Sequence, residues 1–117
     1  MIEGRVAAFR NSMQGLRSAA RTEAAVRIEL AALAGGVPAA LLLSDSPWVF
    51  AGLVGSLLIV LAVELLNTGL EKLCDHVCPQ HHTTIGMIKN MGSAAVMFTM
   101  ALAGLVWSVG LLQTLIR

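Results

Sequence analysis

The feature that most constrains this chain is a long apolar run that starts at Trp48 and carries polar side chains in its second half. Glu64, Asn67, Glu71 and Asp75 follow one another at i, i+3, i+7 and i+11, a spacing that places them on one stripe of a helix. A carboxylate at membrane depth costs on the order of 3 kcal/mol on insertion scales, so such residues are by default functional. We predict that this stripe carries chemistry, with polar pairing inside a helix bundle as the structural alternative.

The composition indicates a small integral membrane protein. Of the 117 residues, 56% are hydrophobic and 13% are charged, and the mean hydropathy is +0.77, which is too apolar for a soluble domain of this size. Three short helices cannot enclose a polar site alone, so we expect self-association, as a dimer or a trimer. The net charge of +1 gives no reason to expect a nucleic-acid partner.

The hydropathy pattern predicts an all-α membrane protein that forms a single domain over residues 1–117. Transmembrane helices are expected at 26–44, 48–70 and 92–115, because each stretch is apolar and of roughly spanning length. Residues 1–25 place apolar side chains at helical spacing among arginines, which predicts an amphipathic helix on the membrane surface. Packing of that helix on the bundle is the alternative, and both can hold at once.

Local signals predict the connections between these helices. Pro47 is expected at the first position of the second span, with Ser46 or Asp45 as its N-cap. A kink is expected near Pro38, and a loop is expected from Val77 to Gly86.

The distribution of positive charge predicts the orientation in the membrane. Seven of the eight Lys and Arg residues lie before or at the very start of the first span or in the connection between the second and third spans, and Arg117 is the exception. The positive-inside rule therefore predicts a cytoplasmic N-terminus and an external C-terminus. Cys74 and Cys78 then lie on the cytoplasmic side, where free thiols are expected.

The candidate chemical groups collect at the cytoplasmic membrane face. Carboxylates with a neutral amide are hard oxygen ligands of the kind that Mg²⁺ prefers, and a nearby lysine suits phosphate. The sequence contains neither a G-x4-G-K-[ST] nor a G-x-G-x-x-G motif, so any nucleotide must be held in another way. A soft-metal site is the alternative use of four nearby side chains, Cys74, Cys78, His81 and His82.

Three strings carry a resemblance to a known family: RTEAAVRIE at 21–29, ELLNTGLEKLCD at 64–75 and KNMGSAAV at 89–96. They closely resemble the small bacterial integral-membrane diacylglycerol kinases, a family that includes undecaprenol kinases. The resemblance implies a homotrimer in the bacterial cytoplasmic (inner) membrane, with active sites completed between neighbouring subunits. The implied reaction transfers the γ-phosphate of ATP, with Mg²⁺, to the hydroxyl of diacylglycerol and gives phosphatidic acid for phospholipid biosynthesis.

The resemblance also implies roles for individual residues. Glu64 would be the general base, Glu23 and Glu71 would bind the metal of the nucleotide, and Asn67 would support this polar cluster. The implied nucleotide-binding residues are Asn11, Glu23, Glu71, Asp75, Gln80, His81, His82, Lys89 and Asn90. The implied lipid-binding residues are Arg27, Glu29, Glu64 and Ser93.

Two positions depart from the family pattern. The family usually has Asp where this chain has Asn90, and an aromatic residue where it has Asn11. The alternatives to a diacylglycerol kinase are an undecaprenol kinase, which belongs to the same family, and a non-catalytic trimeric membrane homologue impaired by Asn90. The string MGSA at 91–94 follows the diacylglycerol-kinase pattern and favours that lipid.

Overall fold

The computed structural model describes residues 2–117, and all regular structure in that range is α-helical. The helices are α1 (Ile2–Thr22), α2 (Ala24–Leu43), α3 (Pro47–Val77) and α4 (Thr83–Ile116). By length and composition, α2, α3 and α4 could each cross a membrane. The all-α class and the three long apolar helices are thus confirmed, while the trimer and the surface position of α1 stay predictions.

α1 and α2 are separated by one residue, Glu23, whose backbone is extended at φ −120° and ψ 115°. Backbone hydrogen bonds continue on both sides of this residue. The Glu23 N–H donates to Ala19 O at 2.8 Å, and the Arg27 N–H donates to Glu23 O at 3.3 Å. The first helix therefore ends three residues before the predicted boundary at residue 25. The predicted start of that helix, Met1, lies outside the described residues.

The turn between α2 and α3 has the predicted capping chemistry. Pro47 begins α3, and Ser46 Oγ accepts a hydrogen bond from the Val49 N–H at 3.2 Å, which identifies Ser46 as the N-cap. Asp45 lies 3.6 Å from an Arg117 guanidinium nitrogen, so this turn is also tied to the end of α4. α2 runs unbroken through Pro38.

The connection between α3 and α4 is shorter than predicted, because Val77 still belongs to α3 and Gly86 already belongs to α4. His82 is the N-cap of α4, and its Nδ1 accepts a hydrogen bond from the Thr84 N–H at 3.2 Å. The predicted loop from Val77 to Gly86 is wrong at both ends. Histidine is not among the residues that commonly cap helices, so a helix start at this position is hard to predict.

α3 is the central helix and packs against both α2 and α4. At one end, Ala19, Val26 and Leu61 form a buried cluster that joins α1, α2 and α3. At the other end, the Trp107 indole Nε1 donates to Leu53 O at 3.1 Å. Gly110 is the one buried residue of α4 among the described residues. Most of the apolar surface of this helix is therefore left for lipid or for other subunits.

Candidate active site

The acidic stripe lies within the single helix α3, as its spacing predicts, and runs from the packed interior of the bundle to an exposed end. Glu64 and Asn67 are both only 8% exposed, Glu71 is half-buried, and Asp75 is exposed. The four side chains therefore meet a graded environment. A group that enters from the apolar side meets Glu64 first, and a group from water meets Asp75 first.

Asn67 links the buried and the exposed halves of the stripe. Its Nδ2 donates to Glu71 Oε1 at 2.8 Å, a contact between residues one helical turn apart. Its Oδ1 is buried and has no hydrogen-bond donor among the described residues. A Cβ atom at Gly92 would overlap that oxygen, so the backbone of α4 lies directly against the Asn67 amide.

Three carboxylates, from the α1–α2 break, α2 and α3, surround Glu64. The charges of Glu23, at the break between α1 and α2, and of Glu71, on α3, are close enough to act on Glu64. Glu64 in turn acts on Glu29 of α2. Both Glu29 oxygens are buried and without a hydrogen-bond partner among residues 2–117. Such a concentration of negative charge favours a cation.

The donor set fits a magnesium ion that is bound largely through a nucleotide. Glu23 makes no capping hydrogen bond with its side chain, and Glu71, which like Glu23 is close enough to act on Glu64, also offers hard oxygen atoms. Among residues 2–117, no group of three or more His, Cys, Asp or Glu side chains is arranged to hold a metal ion. Two carboxylates suit Mg²⁺ when phosphate oxygens and water complete its octahedron.

A groove at the exposed end of α3 brings together most of the predicted nucleotide-binding residues. Lys89 of α4 donates to Asp75 Oδ1 of α3 at 2.5 Å and closes one side of the groove. The groove has a volume of about 260 Å³, and Asn90, next to Lys89, is exposed. Its lining includes Asp75, Cys78, Gln80, His81, His82 and Lys89.

Two cationic side chains hold the junction that carries Glu23. Arg27 Nη1 donates to Ala20 O at 2.7 Å and to Arg21 O at 3.3 Å, so it binds the carbonyl end of α1, where helices attract positive charge. Lys72 Nζ donates to Thr22 Oγ1 at 3.1 Å. Sequence reasoning missed both contacts, although a helix break followed by an arginine was a usable signal for the first.

Two further pockets lie beside α3, and one of them has a carboxyl group of the acidic cluster in its wall. One of about 230 Å³ lies between α2, α3 and α4 and has Glu29 in its wall, beside Ile28, Ala32, Leu57, Val60, Met100 and Ala103. Another, of about 430 Å³, lies between α1 and α3 and includes Ser12, Leu65, Thr68 and Lys72 in its wall. The sequence did not predict the second pocket, because it forms only where α1 folds over α3.

The remaining predicted site residues lie on exposed surface. Asn11 on α1 and Ser93 on α4 are exposed, and their roles stay predictions. Cys74 is buried and Cys78 is half-buried, and both are free thiols, as predicted.

Comparison with known proteins assigns this arrangement to a family. A profile of the family described as prokaryotic diacylglycerol kinase matches residues 10–111. A diacylglycerol kinase of Haemophilus influenzae is 33% identical over 96 residues, which cover 82% of this chain and 81% of the relative. The diacylglycerol kinase of Escherichia coli K12 is 35% identical over 98 residues, which cover 84% and 80%. That of Pseudomonas aeruginosa is 34% identical over 101 residues, which cover 86% and 82%.

Proposed function

Because this chain belongs to the prokaryotic diacylglycerol kinase family, we propose that it transfers the γ-phosphate of ATP to the hydroxyl of diacylglycerol and forms phosphatidic acid. Family membership supports a lipid kinase, and the relatives named above are bacterial. The observation that carries the proposal is the buried Glu64, which lies within a span, with Glu23 and Glu71 close to it. A lipid hydroxyl and a water-borne nucleotide can meet only at such a depth.

Glu64 is the proposed general base. Its carboxylate would take the proton of the lipid hydroxyl while the hydroxyl oxygen forms a bond to the γ-phosphorus. The bond from that phosphorus to the bridging oxygen breaks at the same time, and ADP leaves. Phosphoryl transfer demands chiefly positioning and neutralisation of charge, so the contribution of this chain is the placement of Glu64 beside the phosphate.

Glu23 and Glu71 would hold Mg²⁺ together with the phosphates of the nucleotide. The ion would neutralise phosphate charge and so favour transfer. Asn67 would keep Glu71 in place through the hydrogen bond from its Nδ2. Lys89 would add a positive charge for the phosphates, and the groove around Asp75, Gln80, His81 and His82 would hold the rest of the nucleotide.

The lipid would approach from the side of Glu29. The pocket beside that carboxyl group is lined chiefly by apolar side chains, which suits an acyl chain that ends in a polar glycerol. Ser93 would lie near the same lipid. Arg27 would border it, although its guanidinium is engaged by the last carbonyls of α1.

The proposal includes a homotrimer in the bacterial inner membrane, with the N-terminus cytoplasmic and the C-terminus outside. The Lys and Arg distribution supports this orientation. The apolar surface of α4, of which only Gly110 is buried among the described residues, leaves room for two further copies of the chain. Self-association of this kind would also cover the open side of the acidic cluster.

A phosphorylation assay with two lipids tests the proposal. The purified chain in mixed micelles receives ATP and Mg²⁺ with either diacylglycerol or undecaprenol, and transfer of labelled phosphate to each lipid is measured. We expect transfer to diacylglycerol, with undecaprenol at least tenfold slower. Preference for undecaprenol would overturn the substrate assignment. No transfer to either lipid, from a chain that is folded and inserted, would overturn the enzymatic function.

A further inference from the structure

α3 and α4 approach each other closely where Asn67 faces Gly92. A Cβ atom at Gly92 would overlap Asn67 Oδ1, and it would lie 3.2 Å from Asn67 Cγ and 3.1 Å from Leu70 Cδ2. The hydrogen that Gly92 carries in place of a side chain therefore points at the amide oxygen. Only a residue without a side chain allows α4 to come this close.

The contact defines the orientation of the Asn67 amide. Nδ2 donates to Glu71 Oε1 at 2.8 Å, and a reversed amide would set two acceptor oxygens against each other. Oδ1 then faces Gly92 and has no N–H or O–H donor among residues 2–117. A weak Cα–H···O contact of the kind seen between packed helices is what this oxygen gains instead.

We propose that Gly92 is a positioning residue for Glu71. Its missing side chain lets α4 close over Asn67, which holds the amide against Glu71 and so fixes the carboxylate that the proposed function assigns to Mg²⁺. The inference rests on that proposed function. Gly92 itself acts through Asn67, and an added carbon in so close a contact must displace the amide.

Gly92→Ala tests the proposal, with Gly104→Ala as the matched control. Both substitutions add one carbon to α4, and a Cβ atom at Gly104 has no neighbour within 4 Å. For Gly92→Ala we expect the Mg²⁺ concentration at half-maximal activity to rise about tenfold, while the KM for lipid changes less than twofold. Gly104→Ala should leave both values unchanged.

The environment of the Asn67 amide can also be measured directly by NMR, without metal or turnover. In isotope-labelled full-length chain in micelles, the side-chain NH₂ resonances of Asn67 are identified by their loss in Asn67→Ala. These resonances should shift in Gly92→Ala and keep their positions in Gly104→Ala. Unchanged resonances in Gly92→Ala would overturn the proposal, because the added carbon would then leave the amide in place.

The Asn67→Ala background separates positioning from a general packing defect. Truncation of Asn67 removes the oxygen that an added Cβ would overlap and leaves Leu70 Cδ2, the end of a flexible side chain, at 3.1 Å. Gly92→Ala should therefore change Mg²⁺-dependent ATP binding in this background, measured by equilibrium dialysis, by less than twofold. The double variant, Gly92→Ala with Asn67→Ala, should also fold and insert like the single Asn67→Ala variant. A loss of folding or of binding that persists in this background would overturn the proposal. An inactive wild type would instead contradict the proposed function alone.

Discussion

Arg27 Nη1 donates to Ala20 O at 2.7 Å, so the first arginine after the break at Glu23 folds back onto the helix before the break. This contact ties the end of α1 to the first turns of α2. Together with the hydrogen bond from Lys72 to Thr22, it fixes the position of Glu23 beside α3.

We expect Arg27→Gln to affect the Mg²⁺ requirement, through the position of Glu23, more than the KM for lipid. Loss of the charged hydrogen bond should loosen the junction by about 1 kcal/mol, which corresponds to a roughly fivefold rise in the Mg²⁺ requirement. Arg17→Gln, at an exposed arginine of α1, is the control. Kinetics with Mg²⁺ and lipid varied separately make the measurement, and a rise confined to the KM for lipid would assign Arg27 to direct lipid contact instead.

Glu23 and Glu71 should behave as one unit. Each change to Gln should raise the Mg²⁺ requirement, because a carboxylate binds Mg²⁺ and an amide of the same size binds it poorly. The free-energy effect on the Mg²⁺ requirement should be smaller in the double variant than the sum of the two single effects, since residues that act together are not additive. Titration of Mg²⁺ at saturating ATP gives the comparison. Strict additivity, or an unchanged metal requirement in both single variants, would argue against a shared ion.

Asn90 is exposed beside Lys89, and the family resemblance leads us to expect Asp at this position. We expect Asn90→Asp to increase turnover or to lower the Mg²⁺ requirement without a change in lipid affinity, because a carboxylate holds an ammonium group or a hydrated metal more strongly than an amide. Gln14→Glu, which adds the same charge on exposed α1, controls for net charge. A clear fall in turnover for Asn90→Asp would mean that the site is built around the neutral side chain.

The fold class and the turn before Pro47 could be predicted because they depend on local properties. Hydropathy over about 20 residues identifies a span, and Ser46 caps α3 through an N–H only three residues away. The common face of the stripe from Glu64 to Asp75 followed from helical periodicity, whereas its graded burial depends on how the helices pack.

The contacts that position the site could not be predicted in the same way. The break at Glu23, the His82 cap and the approach of Gly92 to Asn67 depend on how separate helices meet, and periodicity within one helix carries no such information. Arg27 shows the difference clearly. The family resemblance placed it near lipid, whereas its hydrogen bonds go to the end of α1.

Glu64→Gln tests whether Glu64 accepts the proton of the lipid hydroxyl, the step on which the proposed reaction depends. The amide has nearly the same size but cannot take that proton, and it removes a charge that is costly at membrane depth. We expect an inserted, folded oligomer whose rate of diacylglycerol phosphorylation is lower by roughly 10²–10⁴-fold. A variant that keeps more than about a tenth of the wild-type rate would contradict the assignment of Glu64 as general base.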